Sequence, residues 1–259
     1  MANPAHVPRL FVLAGTNGAG KSSIGGATIR SRGGEYFNPD EAAARIRKAQ
    51  PHLSATQANS AAWHEGKRLL QHAIAKGLDY NFETTLGGKS FAALLKEAAK
   101  KGFEVRIWYV GLMSPEHHLA RVKARVKKGG HDIPEADIRR RFDQSRLQLI
   151  ELLPHLAELR VYDNSDEADP HRDKAPRPQL LLHWVQNAAP GTGAGKMQAT
   201  VRAPASAQAL MATPEWAKPV VMAALKLQSD ADAQTAPDTS AVKDASTANA
   251  RPKRNRPAK

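Results

Sequence analysis

The amino-acid sequence predicts an α/β protein with a mostly parallel sheet and helices on both of its faces. Two observations carry this prediction. Short apolar segments alternate with amphipathic helical segments over most of the chain, an order that places parallel strands side by side under packed helices. A glycine-rich stretch, FVLAGTNGAGKSSIGG, joins the first apolar segment to a helix that begins near Lys21.

Strands are expected wherever a short apolar or aromatic run is bounded by turn residues. They are 9–14, 36–37, 78–85, 103–110 and 159–162, with one more over 179–186. Helices are expected where apolar residues recur at helical spacing between start and stop signals. They are 41–50, 55–76, 90–101, 115–128 and 134–154. The second of these has the clearest signals, since Ser54 and Gln57 form a capping box and Gly77 follows its last turn.

The composition changes after Asn187 to Ala, Pro, Thr, Ser, Gly and Lys. We therefore expect a folded domain over 1–187 and a linker over 188–227. A helix over 213–227 would dock on the domain through Trp216. Residues 228–259 are expected to form a disordered basic tail. The stretch GTGAGKM at 191–197 imitates a phosphate loop, but no strand precedes it, so it is assigned to the linker.

The formal net charge of +13 is concentrated in two places. Residues 119–146 hold nine Lys or Arg against four Asp or Glu, and the last nine residues hold five more basic residues and no acid. We expect the first cluster to form a basic lid over a polyphosphate. The tail is basic for an unknown purpose, and nonspecific contact with nucleic acid is one reading of it.

Several classes of protein are excluded by what the chain lacks. It has no cysteine, which removes disulfides, thiolate metal sites and cysteine nucleophiles. No apolar run approaches the roughly 18 residues of a membrane span, and the first residues do not read as a signal peptide. We therefore expect a soluble cytoplasmic protein with no membrane contact.

The glycine-rich stretch satisfies the phosphate-loop pattern GxxxxGK[ST], with a strand before it and a helix after it. Its backbone N–H groups and the helix N-terminus are expected to bind the phosphates of ATP, Lys21 to reach the β- and γ-phosphates, and the Ser22 hydroxyl to bind Mg²⁺. The expected nucleotide-binding residues of the loop are Gly15, Thr16, Asn17, Gly18, Ala19, Gly20, Lys21, Ser22 and Ser23.

A P-loop protein can be a motor, a switch or a kinase, and the chain favours the kinase. It has no guanine-reading NKxD and no apolar strand that ends in Asp-Glu. It does offer acids beside two strand ends. Asp40 either activates an acceptor hydroxyl as a base or only caps the next helix. Glu83 either binds acceptor hydroxyls or a magnesium-bound water, or is a satisfied structural acid.

The expected lid is two helices joined by Gly129-Gly130. Arginines from both helices would close on the triphosphate and stabilise its charge during transfer. The basic residues are Arg121, Arg125 and Lys128 on the first helix and Arg139, Arg140 and Arg141 on the second. His131, beside the hinge, is expected to be structural.

Taken together, the chain resembles the zeta-toxin family of P-loop kinases, in its shorter, GGHDIP-containing branch. The resemblance covers about 10–165 and is carried by GTNGAGKSS, FNPD, NFETTL, RVKARVKKGGHDIP with IRRRF, and VYDNS. It implies phosphorylation of a nucleotide-sugar hydroxyl with ATP and Mg²⁺. In the best-known members the acceptor is UDP-N-acetylglucosamine, phosphorylated on the 3′-hydroxyl, and an antitoxin protein is the partner.

The resemblance also implies roles for individual residues. Asp40 matches the catalytic base and Lys21 the phosphate-loop lysine. Arg125 and Arg141, the latter chosen over Arg140, match the phosphate-binding pair. The residues matched to acceptor and adenine contacts are Glu83, Thr85 and Asn164.

Two other functions stay open on the sequence alone. One is a kinase of another small molecule, such as a dinucleotide or an amino sugar. The other is a nucleotide-regulated ATPase that binds nucleic acid through its basic segments.

Overall fold

The structure is a computed structural model that describes residues 6–31, 35–166, 177–188 and 197–235. Its strands form one six-stranded sheet in the order β2-β1-β3-β4-β5-β6. The strands are β1 Arg9–Ala14, β2 Tyr80–Thr84, β3 Glu104–Gly111, β4 Glu158–Asp163, β5 Gln179–Ala188 and β6 Met197–Ala203. Strands β1 to β4 are parallel, and β5 and β6 extend the sheet antiparallel. The predicted α/β class with a mostly parallel sheet is confirmed.

The helices lie largely where the periodicity predicts them. They are α1 Ala27–Ser31, α2 Pro39–Ala49, α3 Ala55–Lys76, α4 Lys89–Lys100, α5 Pro115–Lys127, α6 Glu135–Leu152, α7 Ala207–Met211 and α8 Lys218–Thr235. A π-helical turn, Ser22–Gly26, precedes α1. The capping box of Ser54 and Gln57 is present at the start of α3, and Gly77 follows its end in the left-handed conformation.

The hydrophobic core lies mainly on one face of the sheet. Leu10 and Val12 of β1 and their neighbours on β3 pack beneath residues of α3, α4, α6 and α8. On the other face, Leu13 lies against the turn that follows the phosphate loop. A Cβ on Gly25 would come within 2.2 Å of the Leu13 side chain, so this turn packs directly on β1.

The predicted strand at 36–37 is reduced to a single bridge between Phe37 and Phe82. Phe37 N–H donates to Asn81 O at 2.9 Å, and Glu83 N–H donates to Phe37 O at 2.8 Å. The pairing stops there because the chain turns into α2 at Pro39, which has no N–H to donate. This bridge fixes the segment that carries Asp40 beside the end of β2.

The expectation of a linker over 188–227 is wrong. The predicted boundary at residue 187 lies inside β5. Strand β6 follows within the expected linker, and its Ala199 is buried. The expected docking helix is α8, which starts at Lys218 and runs past residue 228 into the expected tail. Trp216 is buried against Gly111, where a Cβ would come within 2.4 Å of the indole ring. Strand β6 has only two large apolar residues, Met197 and Val201, among its seven, too few to be predicted as a strand without its sheet neighbour.

The rest of the basic tail, 236–259, and the phosphate-loop imitation at 191–196 lie outside the described residues. Within the described part of the chain, no helix combines the length and apolar character needed to cross a bilayer.

Candidate active site

The phosphate loop connects β1 to the π-helical turn at the carboxyl edge of the parallel strands. Gly15, Gly18 and Gly20 all have positive φ angles, 137°, 83° and 86°. A Cβ on Gly15 would lie 2.1 Å from Val110 O on the neighbouring strand. Glycine is therefore required there both by backbone conformation and by the close approach of β3.

Three elements hold this loop by polar contacts. His118 Nδ1 of α5 lies 2.8 Å from Asn17 O, and Asn164 Nδ2, just after β4, donates to Ala19 O at 2.9 Å. Arg141 Nη1 of α6 donates to Asn17 Oδ1 at 2.8 Å. The loop thus has fixed partners from both helices of the predicted lid and from the end of β4.

His118 supports the phosphate loop, and no sequence pattern marks it for that role. Its side chain is buried, and burial is the main cause that lowers its pKa to about 4, against the weaker opposing effect of the hydrogen bond with Asn17 O. Because a carbonyl oxygen only accepts, Nδ1 carries the hydrogen. His118 is therefore a neutral support beneath the loop rather than a cation facing phosphate.

A buried chain of hydroxyl groups also ties the loop to α6. Tyr109 Oη lies 2.6 Å from Ser145 Oγ, which lies 3.4 Å from Thr16 Oγ1. Burial raises the pKa of Tyr109, so its hydroxyl stays protonated. Ser145 lies one helical turn after Arg141, so the same helix contacts the loop at two levels.

Glu83 joins the phosphate loop rather than standing apart from it. Ser22 Oγ donates to Glu83 Oε2 at 2.8 Å, and Lys21 Nζ lies 3.5 Å from Glu83 Oε1. Lys21 and Glu83 are only 6% and 8% exposed. Asn38 Nδ2 completes the cluster at 3.4 Å from Ser22 Oγ and 3.5 Å from Glu83 Oε2. A buried lysine, carboxylate and hydroxyl therefore meet where the loop enters its helical turn.

Asp40 does not cap α2, so that alternative is wrong. The cap is Asn38, whose Oδ1 accepts from the N–H groups of Asp40 at 2.9 Å and Glu41 at 3.3 Å. The Asp40 carboxylate instead accepts from Arg125 Nη1 at 3.2 Å and lies 3.7 Å from His131 Nε2. An Asn followed by Pro at the first helical position is a cap signal that could have been read in the sequence.

The three consecutive arginines of α6 go to different places. Arg139 pairs with the exposed Glu116 and Glu135, away from the loop. Arg140 pairs with Asp137 and reaches Gly87 O only at 3.5 Å. Arg141 alone of the three contacts the phosphate loop, and its burial lowers its pKa.

A cavity of about 430 Å³ opens beside this cluster, between α3, the end of β2 and the segment after Gly129-Gly130. Asp40, Glu83 and Arg141 line its polar end, and Thr85 lines its wall. An aromatic wall continues from there, made of Phe37, Trp63, Phe82 and Phe91. The cavity therefore adjoins charged groups at one end and offers flat apolar rings along its length.

Helix α3 presents Thr56, Asn59 and Trp63 to this cavity at helical spacing. Trp63 is 38% exposed, unusual for so large a ring, and meets Phe91 edge to face with ring centres 5.8 Å apart. Within the described residues, neither Asn59 nor Thr85 forms a side-chain hydrogen bond. The sequence does not single out this helix face, because alternating polar and small residues are typical of an ordinary solvated surface.

A sheet whose first strand runs into a phosphate loop, beneath two arginine-bearing helices and beside a cavity, is typical of the P-loop class of proteins. The zeta toxin family signature matches residues 2–175, so the chain belongs to the zeta toxin family. A Haemophilus influenzae protein described as uncharacterized is 36% identical over 132 residues, covering 49% of this chain and 88% of that protein.

Solved structures show the same fold at low identity. A crystal structure of the AvrRxo1-ORF1:AvrRxo1-ORF2 complex with sulphate ions matches at 16% identity and TM-score 0.53. The complex with ATP matches at 18% identity and TM-score 0.52. Each match covers 69% of this chain and 59% of the other chain, so this chain spans little more than half of that relative's length. The chain thus belongs to the zeta toxin family by sequence and shares the fold of these solved structures.

Proposed function

We propose that this protein transfers the γ-phosphate of ATP, with Mg²⁺, to a hydroxyl of a nucleotide sugar, with the 3′-hydroxyl of UDP-N-acetylglucosamine as the first candidate. One observation carries the proposal. The Asp40 carboxylate lines the same cavity end as Glu83 and Arg141, which contact the phosphate loop directly. A base and a phosphate cradle therefore share one space into which an acceptor fits.

The phosphate side of the reaction falls to the loop, Lys21 and the lid arginines. Backbone N–H groups of the loop bind the phosphates, and Lys21 reaches the β- and γ-phosphates. Arg125 and Arg141 stabilise the charge that spreads over the transferred group. We assign Asn164, whose Nδ2 donates to Ala19 O after the end of β4, to the adenine of ATP.

Mg²⁺ fits the paired oxygens of Ser22 and Glu83. Both are hard oxygen ligands, they already share a hydrogen bond, and the carboxylate is nearly buried. When bound, the ion would neutralise charge on the phosphates. We assign Glu83 to this role rather than to the acceptor, because both of its oxygens face phosphate-loop residues, and we leave Thr85 to the acceptor.

In the proposed reaction, Asp40 accepts the proton of the acceptor hydroxyl as that oxygen attacks the γ-phosphorus. The new O–P bond forms while the bond to the bridging oxygen of ADP breaks, and ADP leaves with that electron pair. Positioning and charge stabilisation supply most of the rate in such transfers. Asp40 is suited to orient the hydroxyl because it is fixed near, but outside, the cluster of Lys21 and Glu83.

The cavity supports an acceptor that contains a flat ring as well as hydroxyls. Trp63 and Phe91 offer aromatic surface for stacking. The amide of Asn59, which has no partner among the described residues, can both donate to and accept from a base edge. A nucleotide sugar combines these features with a hydroxyl for Asp40. A simple sugar would leave the aromatic wall uncovered.

The setting of the reaction is also a proposal. Zeta-toxin membership and the two-protein AvrRxo1 complex support an antitoxin-like partner for this chain. A nucleotide-sugar substrate would place the protein in the cytoplasm, where such compounds are made.

An acceptor screen tests the proposed function. The protein is incubated with γ-labelled ATP and Mg²⁺, with UDP-N-acetylglucosamine, other nucleotide sugars, dinucleotides, amino sugars or no acceptor. We expect label on a nucleotide sugar, lost in Lys21→Ala. Label on a dinucleotide or an amino sugar would mean that the acceptor belongs to that class instead. Release of free phosphate alone, in an amount that no acceptor changes, would contradict kinase activity.

A further inference from the structure

We propose that His131 is a positioning residue that acts with Arg125 to fix the orientation of the Asp40 carboxylate. The inference rests on the proposed function, in which Asp40 is the base. It gives a role to the Gly-Gly-His sequence between α5 and α6, which the proposed chemistry does not otherwise use.

The two side chains approach different oxygens of the carboxylate. Arg125 Nη1 donates to Asp40 Oδ2 at 3.2 Å, and His131 Nε2 lies 3.7 Å from Oδ1. The Asp40 side chain is 43% exposed, so without partners it would rotate freely at the mouth of the cavity. Arg125 holds one oxygen by a hydrogen bond and the His131 ring stands at ion-pair distance from the other, and together they restrict that rotation.

The backbone between the two partners is shaped around Arg125. Gly129 has a φ of 87°, which favours glycine, and Gly130 N–H donates to Arg125 O at 3.0 Å. A Cβ on Gly130 would lie 2.7 Å from Arg125 Cγ. The chain therefore folds back tightly over the arginine stem, and this return brings His131 to Asp40.

A further contact couples the two partners. Arg125 Nη2 donates to His131 O at 3.2 Å and lies 3.5 Å from His131 Nε2. The arginine thus holds the residue that follows the turn as well as the carboxylate. Arg125, His131 and Asp40 form one unit, which we call the carboxylate clamp.

The clamp explains how Arg125 can serve two partners. In the proposed reaction Arg125 also binds the phosphates, and a guanidinium drawn toward the γ-phosphate weakens its bond to Asp40. Among the described residues, the His131 ring then remains beside this carboxylate. Loss of His131 should therefore lower kcat and leave the affinity for ATP unchanged.

Two variants of similar size test this role. His131→Leu removes the polar ring atoms, and His131→Gln keeps a polar amide near the position of Nε2. We expect His131→Leu to lower kcat by about 10–100-fold, the range found when groups that orient a ligand or catalytic side chain are removed, with ATP affinity unchanged. His131→Gln should recover most of that loss. The exposed His72→Gln on α3 is the matched control, and thermal unfolding is measured for each variant.

The outcomes separate the clamp from the function on which it rests. A wild-type kcat in His131→Leu would overturn the clamp, provided Asp40→Asn is inactive in the same assay. A His131→Gln variant as slow as His131→Leu would also overturn positioning, since the imidazole would then be needed for more than a polar contact with the carboxylate. An Asp40→Asn variant with wild-type transfer, or no transfer to any acceptor in the wild type, would instead overturn the proposed function and the clamp with it.

Discussion

The two halves of the candidate site are built in opposite ways. In the phosphate half, residues 15–23 with Glu83, the polar side chains are largely engaged by other parts of the protein, such as Lys21 with Glu83 and Asn17 with Arg141. In the acceptor half, the cavity beside α3, Asn59 and Thr85 form no side-chain hydrogen bond within the described residues, and Trp63 is well exposed. The first half is preorganised by the protein, and the second leaves its groups to a ligand.

This difference follows from the chemistry that each half performs. Catalysis by charge stabilisation needs donors that are already in place, because the free energy of reorganising them would offset the stabilisation of the transition state. Selection of an acceptor needs unsatisfied groups that only the correct ligand satisfies. Changes in the phosphate half should therefore reduce kcat or stability, and changes in the acceptor half should mainly raise the acceptor KM.

Among changes that distinguish the two halves, substitution of Arg141 should have the largest effect on kcat. Arg141→Ala removes the lid arginine that contacts the phosphate loop, and we expect kcat to fall by about 10²–10³-fold, as for loss of one transition-state donor. Arg139→Ala is the matched control, because its partners Glu116 and Glu135 lie away from the loop. Steady-state kinetics on the acceptor found by the screen measure both, and equal losses would contradict the assignment of Arg141.

His118, which supports the phosphate half, should make the free energy of unfolding depend on pH. Burial keeps the pKa of His118 near 4 in the folded protein, whereas the unfolded chain binds a proton near the usual 6.5. Protonation therefore favours unfolding as the pH falls from 6.5 to 4, and this residue should remove about 3 kcal/mol of stability over that range. His118→Asn keeps a donor near Nδ1 but does not titrate, so its free energy of unfolding should fall less steeply.

Denaturant unfolding at a series of pH values measures that difference. His155 and His183 also have pKa values lowered mainly by burial, but they are present in both proteins and cancel in the comparison. Parallel pH profiles for the wild type and His118→Asn would show that His118 is not the buried neutral support described here.

The smallest effect is expected in the acceptor half. Trp63→Ala should raise the acceptor KM by about tenfold, the size of one lost stacking contact, with ATP affinity unchanged. Trp63→Phe should retain most of the affinity because it keeps an aromatic face. A lower kcat at an unaltered acceptor KM would contradict the division of the site into two halves.

Sequence reasoning reached the phosphate half because its signals are local. The glycines, Lys21 and Ser22 lie in one stretch, and the strand before them is read from its own composition. Asp40 was found by its place after the second strand, although its two roles could be separated only when Asn38 proved to be the cap.

The acceptor half and the supports of the loop could not be reached in this way. Asn59 and Trp63 gain meaning only because α3 packs beside β2, and His118 only because α5 crosses beneath Asn17. Strand β6 was missed for a similar reason, since its pairing with β5 stabilises a segment of weak intrinsic preference. Each of these depends on contacts between residues far apart in sequence.

The proposed division of roles is that Asp40 acts on the acceptor hydroxyl, while the phosphate loop, Arg125, Arg141 and Asn164 bind the nucleotide. It is tested most directly by single-turnover transfer from γ-labelled ATP to UDP-N-acetylglucosamine in Asp40→Asn, with ATP affinity measured on the same preparation. We expect Asp40→Asn to lose transfer and to bind ATP with near wild-type affinity. Transfer at the wild-type rate, or loss of ATP binding together with transfer, would contradict this division of roles.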